Sequence, residues 1–326
     1  MNNEYNNYNQ ESEYTPRHAN NYYQNNMNTD LIIDNSLNYS NVKKQDTLNT
    51  IYNTKKKTKK KNIWILVILF SIFLAIIVFC LIKIFVWSKD NKDTSKVIND
   101  ITNAVNVTLR DDDNNTELVN DTNEEETSDY WYYIKFPLID VDITELKEKN
   151  SDTVGWINVN NTNINYPFVQ TKDNSYYLSH SYDKKYNEAG WVFLDYRNSK
   201  DLNNKNTILY AHSRLDKTMF GSLSKVLKSS WYNTKDNHII RLSTETENTL
   251  WQIFSVYKIS EESYYITTNF NTNEEYTKFL NTIKQRSIHN FNTNLDVNDK
   301  ILTLSTCYSD TERTVVHAKL IKRSPK

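Results

Sequence analysis

The chain has 326 residues, and its 39 Lys and Arg residues nearly balance its 40 Asp and Glu residues. The chain is therefore not a strongly basic protein of the kind that binds nucleic acid non-specifically. Two cysteines are too few for a disulfide framework. The length allows one or two domains.

Residues 1–54 form an Asn- and Tyr-rich segment without any apolar period. Such a segment buries too little apolar surface to offset the entropy cost of ordering it. We therefore predict a disordered tail. Its tyrosines could alternatively serve as contact points for a partner.

A polybasic flank, residues 55–62, precedes an apolar segment at residues 63–87. From Ile63 to Ile82 the sequence carries no charge, and twenty helical residues span about 30 Å, the thickness of a bilayer's hydrocarbon core. Trp64 and Trp87 suit the two membrane interfaces. A buried core helix would show a polar stripe, so the segment predicts a single transmembrane helix.

The six lysines between positions 55 and 61 predict the orientation of that helix. Basic residues favour the cytoplasmic side, which places the tail inside and everything after Trp87 outside the cell. The lysine run could instead bind nucleic acid, but its position beside the span favours the topological interpretation. We predict a single-pass protein of the cell membrane with an extracellular C-terminal part and no nucleic-acid partner.

Residues 88–129 are polar and acidic. Apolar residues at helical spacing predict a short amphipathic helix near the start of this segment: Val97, Ile98, Ile101 and Val105. The remainder predicts a charged, extended extracellular linker, and its acidic end could attract a basic acceptor.

Residues 130–326 are rich in aromatic and β-branched residues and are numerous enough for one sizeable core. "DITELKEKNSDTVGWINV" predicts a short helix, a turn and a strand. Thr272 and Glu275 form a capping box that begins a second helix, whose apolar positions are Tyr276, Phe279, Leu280 and Ile283. Further strands are predicted at "NINYPFVQ", "AGWVFLDYR", "KNTILYAHS", "HIIRLSTE", "TLWQIFSVYKIS", "KILTLSTC" and "TVVHAKLIKR". Many strands with few helices indicate a mainly β fold, a closed or nearly closed barrel.

Cys307 ends the predicted strand "KILTLSTC", and the turn-prone "YSDTE" predicts a hairpin whose next strand begins at Arg313. A hairpin brings these two residues side by side. A nearby guanidinium favours the nucleophilic thiolate and could also donate to an oxyanion. The alternative is that Cys307 is a small buried apolar residue.

A nucleophilic cysteine usually needs a histidine as its proton partner. His212 ends the strand "NTILYAHS", so it lies at a strand tip as Cys307 does, whereas the rival His317 lies four residues beyond Arg313. His180, His238 and His289 are expected at the surface. No HxxH motif or Cys/His cluster predicts a metal site.

A series of motifs runs in order through residues 140–323: "DTVGWINV", "NINYPFVQ", "DNSYYLSH", "GWVFLDYRN", "NTILYAHS", "MFGSL", "NEEYTKFLNTIKQRS" and "TLSTC", with an arginine before "VVHAKL". This series resembles the sortases, which are membrane-anchored cysteine transpeptidases of Gram-positive bacteria, and class B is the most similar. Ala211 departs from the family, which commonly has glycine there. The resemblance implies an eight-stranded β-barrel with flanking helices.

The resemblance also implies roles for individual residues. Cys307 is the implied nucleophile, His212 the general acid/base and Arg313 the cation that positions the oxyanion or substrate. Five residues fall where class B members line the substrate groove: Ser305, Tyr210, Asn174, Leu178 and Tyr265.

The implied reaction cleaves a C-terminal sorting motif of secreted surface proteins, an Asn/Ser/Pro-Pro-x-Thr-Gly/Asn-like pentapeptide, through a Cys307 thioester. A peptidoglycan precursor amine then accepts the acyl group, and no cofactor is needed. Three alternatives remain open: a pilin-polymerising sortase, a purely hydrolytic cysteine peptidase, and a non-catalytic surface module on the same scaffold.

Overall fold

The computed structural model of the chain describes residues 40–260, 262–307 and 312–326, with side chains at all of these except 40–47, 54–61 and 307. The predictions for residues 1–39 and for the turn at 308–311 lie outside the described residues. The chain divides into two compact units, Met1–Ala75 and Ile76–Lys326.

Helix α1 comprises Ser40–Ala104. It begins within the segment that was predicted to be a disordered tail. Once a helix exists, each further residue adds one hydrogen bond at little cost, so a polar segment can extend an apolar helix. From Asn62 onward α1 contains one candidate membrane span by length and composition, with a mean hydropathy of 3.5.

The rest of the second unit contains four short or medium helices and eleven strands in its described residues. The helices are α2 (Tyr130–Tyr133), α3 (Thr144–Lys149), α4 (Ser229–Tyr232) and α5 (Asn273–Gln285). The strands are β1 (Val107–Arg110), β2 (Glu117–Leu118), β3 (Leu138–Val141), β4 (Thr153–Val159), β5 (Asn165–Val169), β6 (Phe193–Leu194), β7 (Asn206–His212), β8 (Ile239–Thr244), β9 (Glu247–Ile259), β10 (Ile301–Cys307) and β11 (Arg313–Pro325).

Eight of these strands close into a barrel in the order β10-β7-β6-β5-β4-β8-β9-β11, and β11 pairs again with β10. The predicted eight-stranded barrel is therefore confirmed. β2 pairs antiparallel with Lys322 and Arg323 near the end of β11, and β1 pairs separately with β3. Closure leaves β10 with a neighbour on each side: β7 runs parallel to it and β11 antiparallel.

Local signals predicted several elements correctly. Thr272 caps α5, and its hydroxyl accepts a hydrogen bond from the Glu275 amide at 3.1 Å. The apolar face of α5 is buried as its spacing predicted. The predicted strand "AGWVFLDYR" is much shorter in the structure, because only Phe193–Leu194 pair in the sheet.

The acidic segment 88–129 was predicted to be mainly an extended linker, and the structure differs. It contains the end of α1, strands β1 and β2 and a short 3-10 turn. The reason lies on β11, where two lysines are buried. Lys319 pairs with Glu124 and, at 3.3 Å, with Asp299, while Lys322 pairs with Asp112 at 2.5 Å. Buried ammonium groups require anionic partners, and the acidic segment supplies them.

Candidate active site

The site is built around the end of β10. In the parallel pairing of β10 with β7, Cys307 is the partner of His212. On the other side, Ser305 pairs with Val315, and the same antiparallel register extended by two residues sets position 307 opposite position 313. Three strand ends therefore bring the predicted cysteine, histidine and arginine to one rim of the barrel.

His212 is half-buried, and its Nε2 donates a hydrogen bond to the Leu178 carbonyl oxygen at 2.7 Å. A carbonyl can only accept, so Nε2 carries the hydrogen and Nδ1 is the basic nitrogen of the neutral ring. The ring packs on Gly190, where an added Cβ would lie 3.0 Å from the His212 Cδ2 and 2.5 Å from the Tyr177 carbonyl oxygen. Gly190 also has a φ of +60°, so glycine is required there.

Arg313, which is half-buried, connects to two of the predicted groove residues. Its Nη1 donates to the Tyr265 hydroxyl at 3.5 Å, and that hydroxyl bonds the Ser305 hydroxyl at 3.0 Å. Tyr265 and Ser305 are both buried. The guanidinium is thus held by a chain of hydroxyls that begins on β10, two residues before Cys307.

Asp195 connects two more of the predicted groove residues, and sequence reasoning missed it. Its carboxylate is completely buried and accepts hydrogen bonds from the Tyr210 hydroxyl at 3.0 Å and from the Asn174 Nδ2 at 3.1 Å. The Arg197 guanidinium donates to both carboxylate oxygens, at 2.9 and 2.7 Å. The available signal was an acidic residue directly after the apolar "WVFL" of a predicted strand.

The charge of Asp195 is stable in this position. Burial by itself raises the pKa of a carboxyl group, but the hydrogen bonds from Arg197 outweigh burial and hold the pKa of Asp195 below its ordinary value. Burial and the nearby carboxylate both raise the pKa of Tyr210, so its hydroxyl stays protonated and donates. The Arg197 Nη2 also donates to the Ile266 carbonyl oxygen at 3.0 Å, next to Tyr265.

The other histidines lie elsewhere. His317 is fully buried, with the Thr303 hydroxyl 2.8 Å from its Nδ1 and the Tyr257 hydroxyl 2.8 Å from its Nε2. Burial lowers the pKa of His317 to about 3, so it is neutral at ordinary pH. The prediction that His238 lies at the surface is wrong: it is buried beside Trp231 and bonds the Tyr133 hydroxyl at 2.7 Å.

The prediction for His238 failed because "NHII" marks a strand start, whereas α2 and α4 pack over that start only in the folded chain. Burial lowers the pKa of His238 to about 4. His180 and His289 are half-buried, and both stack on tyrosine rings.

A closed barrel whose rim brings together a cysteine, a histidine and an arginine defines a class of protein, the cysteine-dependent peptidases and transpeptidases. Comparison with known proteins is more specific. The sortase domain family matches residues 157–321. Sortase B of Staphylococcus aureus is 40% identical over 183 residues, which cover 55% of this chain and 74% of the relative.

Solved structures agree. A Staphylococcus aureus sortase B-substrate complex is 39% identical with a TM-score of 0.52, covering 55% of this chain and 83% of that one. A sortase B crystal structure complexed with triglycine is 39% identical with a TM-score of 0.52 and covers 55% and 84%. The chain belongs to the sortase family, class B. It is therefore a cysteine transpeptidase.

Proposed function

We propose that Cys307 is the nucleophile of this transpeptidase, His212 its general acid/base and Arg313 the cation that stabilises the developing oxyanion. The pairing of Cys307 with His212 across two parallel strands carries the proposal. Parallel strands hold the two positions in fixed register, so backbone hydrogen bonds rather than a flexible loop set the distance between thiol and imidazole.

In the first half-reaction the Cys307 thiolate attacks the carbonyl carbon of the Thr–Gly-type bond in the sorting motif. Arg313 faces the oxyanion of the tetrahedral intermediate. The C–N bond then breaks, His212 donates its proton to the leaving amine, and the acyl group remains on Cys307 as a thioester.

In the second half-reaction an acceptor amine attacks the thioester carbonyl. His212, now neutral, takes a proton from the amine nitrogen, an amide bond forms and the Cys307 thiolate leaves. A sortase B with bound triglycine supports a primary amine of a peptide as acceptor. We favour a peptidoglycan precursor amine over a pilin lysine as the natural acceptor.

The substrate groove supports a sorting-signal peptide as the donor. Hydrogen bonds fix two pairs of predicted groove residues. The hydroxyls of Tyr265 and Ser305 bond each other, and Tyr210 and Asn174 both donate to Asp195. Fixed side chains lose little entropy when a peptide binds. The structure of a related sortase B with its substrate supports this class of ligand, and we propose an Asn/Ser/Pro-Pro-x-Thr-Gly/Asn-like motif.

The decisive experiment incubates the full chain in detergent with sorting peptides and a panel of amines, and identifies products by mass spectrometry. We expect an amide adduct that disappears in Cys307→Ala. If only the free acid forms, whatever amine is supplied, the enzyme is a hydrolase. Preference for a pilin peptide lysine over wall-type amines would favour the pilin-polymerising alternative.

We further propose that the N-terminus is cytoplasmic and the catalytic unit extracellular, supported by the lysine run before the candidate span. Protease added to intact protoplasts should remove the part after Trp87 and spare the N-terminal tail. Protection of the C-terminal part would contradict this orientation.

A further inference from the structure

The end of α1, residues 90–101, packs against the barrel of the same unit through a face that mixes polar and apolar residues. Asp90, Thr94 and Ile101 are buried, and their spacing of four and seven residues sets them on one helix face. Val97 and Ile98 of the same face pack partly buried against the barrel core. Asp90 and Thr94 are polar residues at positions that packing alone would fill with apolar ones, and both are hydrogen-bonded to the barrel unit.

The first set of partners is the turn that supports His212. Asn187, itself buried, donates through Nδ2 to the Thr94 hydroxyl at 3.2 Å and to the Asp90 carbonyl oxygen at 3.3 Å. The Asp90 carboxylate accepts from the Glu188 amide at 3.2 Å. This turn ends at Gly190, whose amide donates to the Asn187 carbonyl oxygen at 3.0 Å.

Gly190 connects the position of this turn to the position of the His212 ring. The His212 ring packs on it, and the next residue, Trp191, donates through its amide to the Tyr177 carbonyl oxygen at 2.9 Å, one residue before the Leu178 carbonyl that accepts from His212. A displacement of the turn would therefore move both the surface under the imidazole and the acceptor of its Nε2 hydrogen bond.

The second partner lies on the other side of His212. Arg214 follows it by two residues, its side chain is only 10% exposed, and its Nη2 bonds the Asn91 Oδ1. Arg214 also donates from Nε to the Thr218 hydroxyl at 3.1 Å, which fixes the loop after β7. One helical turn, Asp90–Thr94, thus holds the segments on both sides of His212.

From this arrangement we infer that Asn91 and Thr94 are positioning residues for His212, and that the helical turn Asp90–Thr94 of α1 supports the active site. The inference rests on the proposed role of His212 as general acid/base. General acid/base catalysis depends steeply on placement of the imidazole, whereas peptide binding depends on the groove. Loosening the helix should therefore lower kcat and leave KM nearly unchanged.

The test uses the full chain in detergent and a double variant, N91A with T94V. We expect kcat for peptide cleavage to fall about tenfold, with KM within about twofold. The matched control is N99A with T102V on the same helix, where both side chains are exposed and the Thr102 hydroxyl donates within α1 to the Ile98 and Asn99 carbonyl oxygens. The control should keep the wild-type kcat.

Two further arms separate positioning from loss of fold. The single variants N91A and N91D are compared first: N91A should lose part of the kcat that the double variant loses, whereas N91D keeps an acceptor for Arg214 and should keep the wild-type kcat. In a His212→Ala background the double variant should cause no further loss, because the group that it positions is absent. A wild-type kcat in the double variant, failure of N91D to keep more activity than N91A, or a further tenfold loss in the His212→Ala background would each overturn the inference.

These outcomes are distinct from failure of the proposed function. If His212→Ala alone cleaves as fast as the wild type, the role of His212 is wrong and the inference falls with it. If His212→Ala is inactive while the double variant is unaffected, only the inference is wrong.

Discussion

Strand β10 has a histidine beside each of two positions, and the two histidines differ in burial and in their hydrogen-bond partners. His212 is the partner of Cys307 at the strand end, half-buried, and its Nε2 bonds a backbone carbonyl of a loop. His317 is the partner of Thr303 four residues earlier, fully buried, with a hydroxyl at each ring nitrogen.

This difference shows what a barrel does with polar side chains along one strand. Deep in the barrel a histidine is neutral and fully hydrogen-bonded, so it contributes to packing and cannot readily exchange protons. At the rim, strands end and loops begin, so a side chain can reach both the core's hydrogen bonds and a bound ligand. The same residue type is structural at one position and available for chemistry at the other.

Replacement of the rim histidine should have the largest effect. We expect His212→Ala to lower kcat by about 10²- to 10⁴-fold, because the general acid/base is removed. His317→Gln, which retains hydrogen-bonding atoms in the core, should cleave within about threefold of the wild type. Steady-state cleavage of a sorting peptide measures both, and the reverse ranking would overturn the assignment.

Removal of the rim arginine should have the next largest effect. Arg313→Ala should lower kcat about 100-fold, the usual cost of losing one oxyanion donor. Arg110→Ala is the matched control, since Arg110 lies at the end of β1 and pairs with Asp113 at 2.6 Å. Single-turnover acylation, followed by mass spectrometry, isolates the affected step. Equal acylation rates for the two variants would contradict the proposed role of Arg313 in stabilising the oxyanion.

Replacement of Asp195, which anchors two predicted groove residues, should have a smaller effect, on substrate binding. Asp195→Asn keeps the shape but removes the charge that Arg197 neutralises, so Tyr210 and Asn174 lose their common anchor. We expect KM for the sorting peptide to rise about tenfold with kcat within about threefold. The control is Asp201→Asn on an exposed loop. A fall in kcat at constant KM would instead assign Asp195 to the chemical step.

The core histidine, His317, should affect the pH dependence of the free energy of unfolding and not the rate of cleavage. The pKa of His317 is about 3 in the folded chain, against about 6.5 when unfolded, so the unfolded state binds the extra proton. Its contribution to stability is present above pH ~6.5 and is lost as the pH falls toward 3.

Over that range His317 should contribute a slope of about 1.4 kcal/mol per pH unit to the free energy of unfolding. Urea titrations at several pH values should therefore show a shallower acid loss for His317→Gln than for the wild type. Identical slopes in the two proteins would contradict the burial of a neutral His317.

The acidic segment between α1 and the barrel bears on the acceptor. Its acidic end is predicted to attract a basic acceptor, but Asp112 and Glu124 pair with lysines of β11, and Asp113 pairs with Arg110. Charges that are already paired attract little further. These ion pairs join the segment to the barrel, and its attraction of a basic acceptor stays a prediction.

The sequence by itself determined the apolar segment of α1, the capped helix α5, most of the barrel strands and the candidate residues at strand ends. These are local properties: periodicity, caps and turn residues act over a few neighbouring positions, and a strand that ends in cysteine or histidine can be read directly. The order of the motifs along the chain also indicated the protein family.

Tertiary structure alone decided the rest. The anchoring of Tyr210 and Asn174 by Asp195, the burial of His238 and the contacts of Asn91 and Thr94 join residues far apart in the chain. Such contacts depend on which faces meet when the barrel closes, and no local pattern encodes them. Helix α1 is the clearest example. Its residue spacing predicted an apolar face, but the hydrogen bonds of Asn91 to Arg214 and of Thr94 to Asn187, on either side of His212, arise only when the helix packs against the barrel.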